Sequence, residues 1–211
     1  MQHKQSGFTL LEIAITMAII GILVTLTIKG RELVESSRAK GLASDFRGIQ
    51  TALYGYQDRF HALPGDDRYA SEHLKGSLMP ISNGNGNLRI DGKLNSALSE
   101  SYYLWQHIRL AGFLQGAIDP AATGYVPISG ATGGTLGVAD ISSAPISGMN
   151  GAYIICSDNI SGRLVKQLDM MMDDGNTATG SMLIGPATYG GEPIPSSKII
   201  DTDSYLACLA A

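Results

Sequence analysis

The first part of the chain is an almost uninterrupted run of apolar residues. Between Phe8 and Ile28 the only ionisable side chain is Glu12. A helix of this length is about long enough to cross the hydrocarbon core of a bilayer, which is roughly 30 Å thick. A charged side chain inside such a segment costs several kcal/mol unless it finds a partner, so Glu12 is a candidate functional residue.

The helical pattern continues after Ile28 but changes in character. Residues 29–61 carry apolar side chains at alternating spacings of four and three, which place them on one face of a helix. These positions are Leu42, Phe46, Ile49, Leu53, Tyr56 and Phe60. Pro64 ends the pattern. The sequence therefore predicts one helix over about 8–61, with a transmembrane first half (8–28) and an amphipathic second half (29–61).

Three glycines, Gly41, Gly48 and Gly55, recur every seven residues beside this apolar stripe. Each glycine in a helix interior costs up to about 1 kcal/mol relative to alanine, so a compensating contact is expected. Close approach of a sheet, or of a neighbouring chain's helix, would provide one. A tolerated chance pattern is the alternative.

Residues 62–211 predict a small α+β head. Helices are expected at 96–111, between Ser96 as cap and Gly112 as stop, and at 164–172. Strands are expected at 152–156 and 181–184, with shorter β-like runs at 125–128 and 135–141 among hairpins and loops. The side chains expected to point inward are Leu104, Trp105, Ile108, Leu164, Val165, Leu168, Met171 and Met172. The expected architecture is a small antiparallel sheet resting on the long helix.

Charge and composition argue against non-specific binding to nucleic acid. The chain has 211 residues, a formal net charge of −4 and a pI near 5.5. Non-specific binding to nucleic acid rests on clustered Lys and Arg. Basic residues do gather between Lys29 and Arg47, but Glu32, Glu35 and Asp45 interleave with them, as on a solvated helix face. No specific nucleic-acid partner is predicted.

The N-terminus does not have the order of a secretory signal peptide. Such a signal carries its small-residue cleavage site after the apolar core. Here a polar leader, residues 1–7, ends in Gly7 before the apolar run begins. Cleavage at Gly7 would leave the anchor attached.

The segment Gly7-Phe8-Thr9-Leu10-Leu11-Glu12 resembles the processing site of type IV pilins and type II secretion pseudopilins. The resemblance implies that a prepilin peptidase cuts between Gly7 and Phe8 and methylates the new amino group of Phe8. It also implies that Glu12 pairs with the N-terminal ammonium of a neighbouring subunit during assembly. A plain signal anchor, with Glu12 snorkelling to the interface, is the alternative.

The resemblance extends into the head and also has departures. The Leu-Pro-Gly-Asp turn at 63–66, together with 83–88 and 100–113, resembles a subgroup of bacterial pilin-like proteins. Many pilins have a proline where this chain has Lys29. More basic residues follow the apolar run than precede it, which taken alone favours the opposite membrane orientation. Because the leader must face a cytoplasmic peptidase, the expected location is the bacterial inner membrane, single-pass with the head in the periplasm, and then the filament.

Two cysteines, Cys156 and Cys208, lie in the last third of the chain. An exported head places them in an oxidising compartment, where a disulfide forms readily. Two unrelated buried thiols are the alternative.

Asp169, Asp173, Asp174 and Asn176 gather oxygen ligands around a predicted helix C-terminus. Negative charge opposes the helix dipole there, and a bound Ca²⁺ would resolve that conflict. Major pseudopilins often carry calcium near the C-terminal region, which supports the same idea. The alternative is an Asp-Asp-Gly turn with solvated carboxylates. Asn83, Asn85 and Asn87 form a weaker candidate, because neutral amides replace carboxylates and no Glu completes a calcium loop.

For catalysis the sequence offers scattered histidines and no nucleophile elbow, so no enzyme is predicted. The leading hypothesis is a structural subunit that is processed by prepilin peptidase and assembled with other subunits, on an inner-membrane platform, into a type IV pilus or a type II secretion pseudopilus. The alternative is a minor pilin or initiator whose head binds DNA, a secreted substrate or a surface.

Overall fold

The long N-terminal helix predicted from the sequence is present. The computed structural model of the chain describes residues 9–75 and 79–211. Helix α1 covers Leu10–Phe60, so the prediction over about 8–61 is confirmed within the described residues. The chain divides into two units, of which the first ends at Ser37 and the second comprises Arg38–Ala211.

Among the described residues, the second unit contains the remaining α-helices and the strands. In chain order they are α2 (Ala70–His73), α3 (Glu100–Leu110), β1 (Leu136–Asp140), β2 (Tyr153–Ser161), α4 (Gly162–Met172), β3 (Met182–Pro186) and β4 (Ser204–Ala210). The four strands form one sheet in the order β1-β2-β4-β3. Every neighbouring pair is antiparallel. The predicted α+β head with a small antiparallel sheet is therefore confirmed.

Both faces of this sheet are covered, which explains why its strands are buried almost without alternation. On one face the apolar stripe of α1 packs with α3, α4 and the inner side chains of the strands. The opposite face carries a smaller cluster, formed by Ala139, Ile146, Ile154, Cys156, Leu183, Leu206 and Cys208. Apolar burial of this kind is the main favourable term in folding.

The predicted disulfide joins Cys156 on β2 to Cys208 on β4. The two residues are paired directly across neighbouring antiparallel strands, with their Cα atoms 4.1 Å apart. The bond closes a separation of 52 residues. It joins the two central strands of the sheet.

Helix α3 begins later than the sequence predicts. It starts at Glu100 with Ser99 at the capping position, rather than after Ser96. The chain turns first, because Asn95 and Leu98 both adopt positive φ. The inward positions were predicted correctly, since Leu104, Trp105 and Ile108 are fully buried.

Two smaller predictions need correction. Met171 was expected to point inward from α4 but is 37% exposed. The buried face of α4 is formed instead by Leu164, Val165 and Leu168, together with Gly162 and Asp169. The run at 125–128 forms no strand and contributes only one isolated bridge, from Ile128 to Thr135.

The three glycines of α1 have different surroundings. At Gly55 an added Cβ would lie 2.7 Å from the Phe113 ring, which explains why no larger residue fits without movement. At Gly41 the nearest atom is Ala131 Cβ at 3.5 Å, an ordinary contact. At Gly48 no described atom lies within 4 Å. Close approach therefore accounts for Gly55, where an aromatic ring rather than a sheet or helix approaches.

Candidate functional site

Glu12 lies in the first turn of α1. Its backbone N–H donates a hydrogen bond to the Thr9 hydroxyl at 3.2 Å, which makes Thr9 the capping residue. Thr-x-x-Glu is the spacing of a capping box, and a negative charge at a helix N-terminus interacts favourably with the helix dipole. Glu12 therefore occupies a position where its carboxylate suits the helix while opposing the apolar character of the segment.

The segment that follows Glu12 is apolar and unburied in the single chain. Helix α1 is long and apolar enough to cross a membrane, and no residue of its most apolar stretch is buried. The hydroxyls within this segment are satisfied locally: Thr16 donates to the Ile13 carbonyl, Thr25 to that of Gly21, and Thr27 to that of Leu23. Such internal satisfaction is what a bilayer or a dry helix bundle requires.

The helix continues through Lys29, where many pilins have proline. Lys29 forms an exposed ion pair with Glu32, with 3.0 Å between Nζ and Oε2. Exposed helix pairs at this spacing contribute about 0.2–0.5 kcal/mol. The pair marks the polar end of the apolar segment.

Gly7 and Phe8, the predicted processing residues, lie outside the described residues. Their role rests on the sequence motif alone.

The Leu-Pro-Gly-Asp turn organises the first loops of the head. Asp66 is buried, and its carboxylate accepts hydrogen bonds from the backbone N–H groups of Gly86, Asn87 and Leu88 at 2.6–3.0 Å. The side-chain amides of Asn85 and Asn87 donate to Asp91. The asparagine-rich loop at 83–88 is thus held in place by N–H groups that donate to the Asp66 carboxylate.

Asp67, the next residue, anchors a second set of groups. Its carboxylate accepts from the Tyr56 hydroxyl at 2.7 Å and from the Tyr69 N–H at 2.9 Å, and lies 2.7 Å from His73 Nδ1. Burial acts to raise the pKa of Asp67, but these hydrogen bonds and the charge of His73 outweigh it and lower the pKa. Burial and the Asp67 carboxylate raise the pKa of Tyr56.

His107 connects the same turn to α3. Its Nδ1 accepts a hydrogen bond from the Gly65 N–H at 2.9 Å, and its Nε2 lies 2.8 Å from the Ser82 carbonyl oxygen. Because Nδ1 accepts, Nε2 must carry the proton. Burial lowers the pKa of His107, in agreement with this neutral form.

Three carboxylates meet at the C-terminal end of α4. Oxygen atoms of Asp169, Asp173 and Asp174 all lie within 4.8 Å of one another. Asp169 is 0% exposed, and neither of its carboxylate oxygens has a hydrogen-bond partner among the described residues. The Gly175 N–H is near enough to lower the Asp169 pKa slightly, although it makes no hydrogen bond of ordinary geometry. Burial, with the charges of Asp173 and Asp174, raises the pKa of Asp169 to about 6.

The other groups of this cluster have partners. Asp173 accepts from the Met182 N–H at 2.7 Å, and Asp174 accepts from the Thr179 hydroxyl at 2.7 Å. Asn176, which was predicted to contribute an oxygen, donates its backbone N–H to Asp174, and its side-chain oxygen accepts weakly from Ala178. The structure therefore brings the three predicted aspartates together as candidate ligands, and Asn176 lies beside them through its hydrogen bond to Asp174.

A long apolar N-terminal helix, a four-stranded antiparallel sheet and a disulfide between the two central strands define a pilin-like α+β protein. Residues 2–28 match the family described as the prokaryotic N-terminal methylation motif, which confirms the resemblance to type IV pilins and pseudopilins. The N-terminal motif is thus that of a type IV pilin-like precursor. No curated protein and no solved structure matches it.

Proposed function

We propose that the protein is a filament subunit of a type IV pilus or a type II secretion pseudopilus. In this proposal, prepilin peptidase removes residues 1–7 and methylates Phe8. The processed chain is first anchored in the inner membrane with its head in the periplasm. It is then assembled with other subunits through its N-terminal helix. The observation that carries the proposal is the methylation motif at residues 2–28, joined to an apolar segment with a single carboxylate.

The physical argument concerns Glu12. A carboxylate at this position is costly in hydrocarbon, and the cost falls when a positive charge docks beside it. The ammonium group of a processed Phe8 on a neighbouring subunit would provide that charge. Pairing would fix the axial position of one helix against the next, while the apolar side chains of α1 pack together in the filament core.

The test compares Glu12→Gln with Glu32→Gln in the native host, because Glu32 is an exposed acid beyond the apolar segment. Both variants should reach the membrane fraction, and only Glu12→Gln should be lost from purified filaments. Mass spectrometry of the wild-type chain should find an N-methylated Phe8 at the N-terminus. A mature chain that still begins at Met1, or normal incorporation of Glu12→Gln, would contradict the proposal.

We also propose that Asp169, Asp173 and Asp174 hold a calcium ion in the assembled protein. The orphaned carboxylate of Asp169 supports this, because a buried charge without donors requires neutralisation. Carboxylate oxygens are the ligands that Ca²⁺ prefers, and water would complete its six to eight ligands. The ion would lock the end of α4 to the start of β3, since Asp173 already contacts Met182. Its test is the calcium dependence of unfolding.

A further inference from the structure

A cavity of about 290 Å³ lies on the sheet face that α1 does not cover. Its floor is formed by Gly137 on β1, Cys156 on β2 and Leu206 on β4, and its walls include Leu94 and Tyr189. Glycine at position 137 helps to bring the 94–95 segment close, since an added Cβ there would lie 3.0–3.1 Å from Asn95 and Leu94. The volume is at the small end of ligand pockets, which suits a fragment or a single large side chain.

Most polar groups at the edge of this cavity are already engaged. The Asn95 amide donates to the Leu136 carbonyl and accepts from the Trp105 indole. The Thr135 hydroxyl donates to Asp158 at 2.7 Å. These groups hold the wall in place and have little capacity left for a ligand.

Asp158 is the exception. Its carboxylate accepts two hydrogen bonds, from the N–H and the hydroxyl of Thr135, one on each oxygen. A carboxylate has about four lone-pair sites, so acceptor capacity remains. Within residues 9–75 and 79–211, no basic side chain forms an ion pair with it. The cavity therefore joins an apolar floor to one negative, under-used acceptor.

Tyr189 closes one side of the cavity and is itself fixed. Its hydroxyl accepts from the Leu94 N–H at 3.0 Å, and the Lys93 ammonium lies 5.6 Å from the ring centroid. Because the Lys93 ammonium already lies over this ring, the ring forms an apolar wall of the cavity and not a second cation-binding surface. Lys93 does not line the cavity, whereas Asp158 does.

We propose that this cavity binds the apolar body of a small primary amine, with the ammonium group on Asp158. The chemistry is an aromatic or aliphatic group of about ten non-hydrogen atoms that ends in a cation, consistent with the ligand-pocket scale. A free amine and the side chain of a lysine-bearing peptide share this chemistry. The proposal does not depend on filament assembly.

The experiment uses the full chain in lipid nanodiscs and three probes with a similar phenyl body: 2-phenylethylamine, 2-phenylethanol and 3-phenylpropanoate. Methyl NMR follows Leu94, Val126 and Leu206, with protein-free nanodiscs correcting for partition into lipid. The amine should shift these signals at the lowest concentration and the anion at the highest. A lysine peptide that is acetylated only at its N-terminus keeps its side-chain ammonium group. If it competes with the amine, a protein side chain is the source, and if it fails to compete, the ligand is a free amine.

Two variants and one control make the result specific. Asp158→Asn should weaken the amine about tenfold, the loss expected for one charge-assisted contact, and change the alcohol by no more than about twofold. Ala187→Phe, at the exposed rim of the cavity, should block all three probes. Asp58→Asn, an exposed acid on α1 away from the cavity, should change nothing. Equal or tighter binding of the anion, or an unchanged amine affinity in Asp158→Asn, would overturn the proposal.

Discussion

Replacing Asp169 with asparagine should stabilise the calcium-free protein at neutral pH. The substitution keeps the shape of the side chain and removes a buried charge that has no hydrogen-bond donor among the described residues. The new amide N–H groups can donate to the neighbouring carboxylates of Asp173 and Asp174, which lie within 4.8 Å. Most substitutions at a fully buried position destabilise a protein, so a gain would be diagnostic.

The magnitude follows from the Asp169 pKa, which is raised from 3.8 to about 6. One pKa unit corresponds to about 1.4 kcal/mol, so the ionised folded state carries a penalty of at most about 3 kcal/mol. Its sign is fixed by linkage: the folded protein binds this proton more tightly than the unfolded chain does. In chelator, the contribution of Asp169 to stability should therefore become unfavourable as the pH rises from about 4 to about 6, and remain so above that range.

The assay is urea unfolding of the full chain in mild detergent, followed by fluorescence of Trp105. This is the only tryptophan and is fully buried in the head. At pH 7.5 in EDTA, Asp169→Asn should gain about 1–3 kcal/mol over the wild type. Calcium at one hundred times its dissociation constant should stabilise the wild type by about 2.7 kcal/mol and the variant much less.

Asp174→Asn provides the matched control. Asp174 belongs to the same cluster, but hydrogen bonds from Thr179 and the Asn176 N–H lower its pKa. Its replacement should bring no stabilisation in EDTA and should still weaken the response to calcium. A loss of stability in Asp169→Asn, in EDTA at pH 7.5, would refute the reasoning that Asp169 is an uncompensated charge.

Three further outcomes follow from the fold. Gly48→Ala should stabilise the chain by up to about 1 kcal/mol in urea unfolding, because alanine has the higher helix propensity and no described atom lies near the added Cβ. Gly55→Ala should destabilise it, because the added Cβ would clash with the Phe113 ring. Asp67→Asn should cost about 1–3 kcal/mol at pH 7 by weakening its hydrogen bonds. Because the pKa of Asp67 is lowered, its contribution is present above about pH 4 and disappears as the pH falls further, so the two titration curves should converge in acid. Replacing Cys156 and Cys208 together by alanine should lower stability by about 2–4 kcal/mol, and a melting temperature equal to that of the wild type would contradict a structural role for the bond.

The helices could be predicted because their signals are local, and the disulfide because the chain has two cysteines and an expected oxidising compartment. The apolar stripe of α1 and the buried face of α3 repeat within a few residues, and period alone identifies them. The hub at Asp66 and Asp67 could not be predicted in the same way. Asp66 binds backbone groups at 86–88, and nothing in the sequence around either segment specifies that pairing. The start of α3 was missed because Ser96 and Ser99 are both good capping residues, and the intervening Leu98 gives no sign of its positive φ.

Glu12 and Asp169 are both carboxylates in apolar surroundings that can be located from the sequence. Asp169 follows Val165 by four residues, so the helical period alone places it on the buried side of α4. Glu12 stands in an apolar segment that has no polar face at all. Each carboxylate is costly in its surroundings unless a cation approaches. For Asp169 an inorganic ion can enter from the exposed side at Asp174, whereas Glu12 in a bilayer needs a cation delivered on another protein chain. Adding or removing calcium should therefore change the stability of the head without changing the register of subunits in the filament. Replacing Glu12 should change that register without changing the stability of the head.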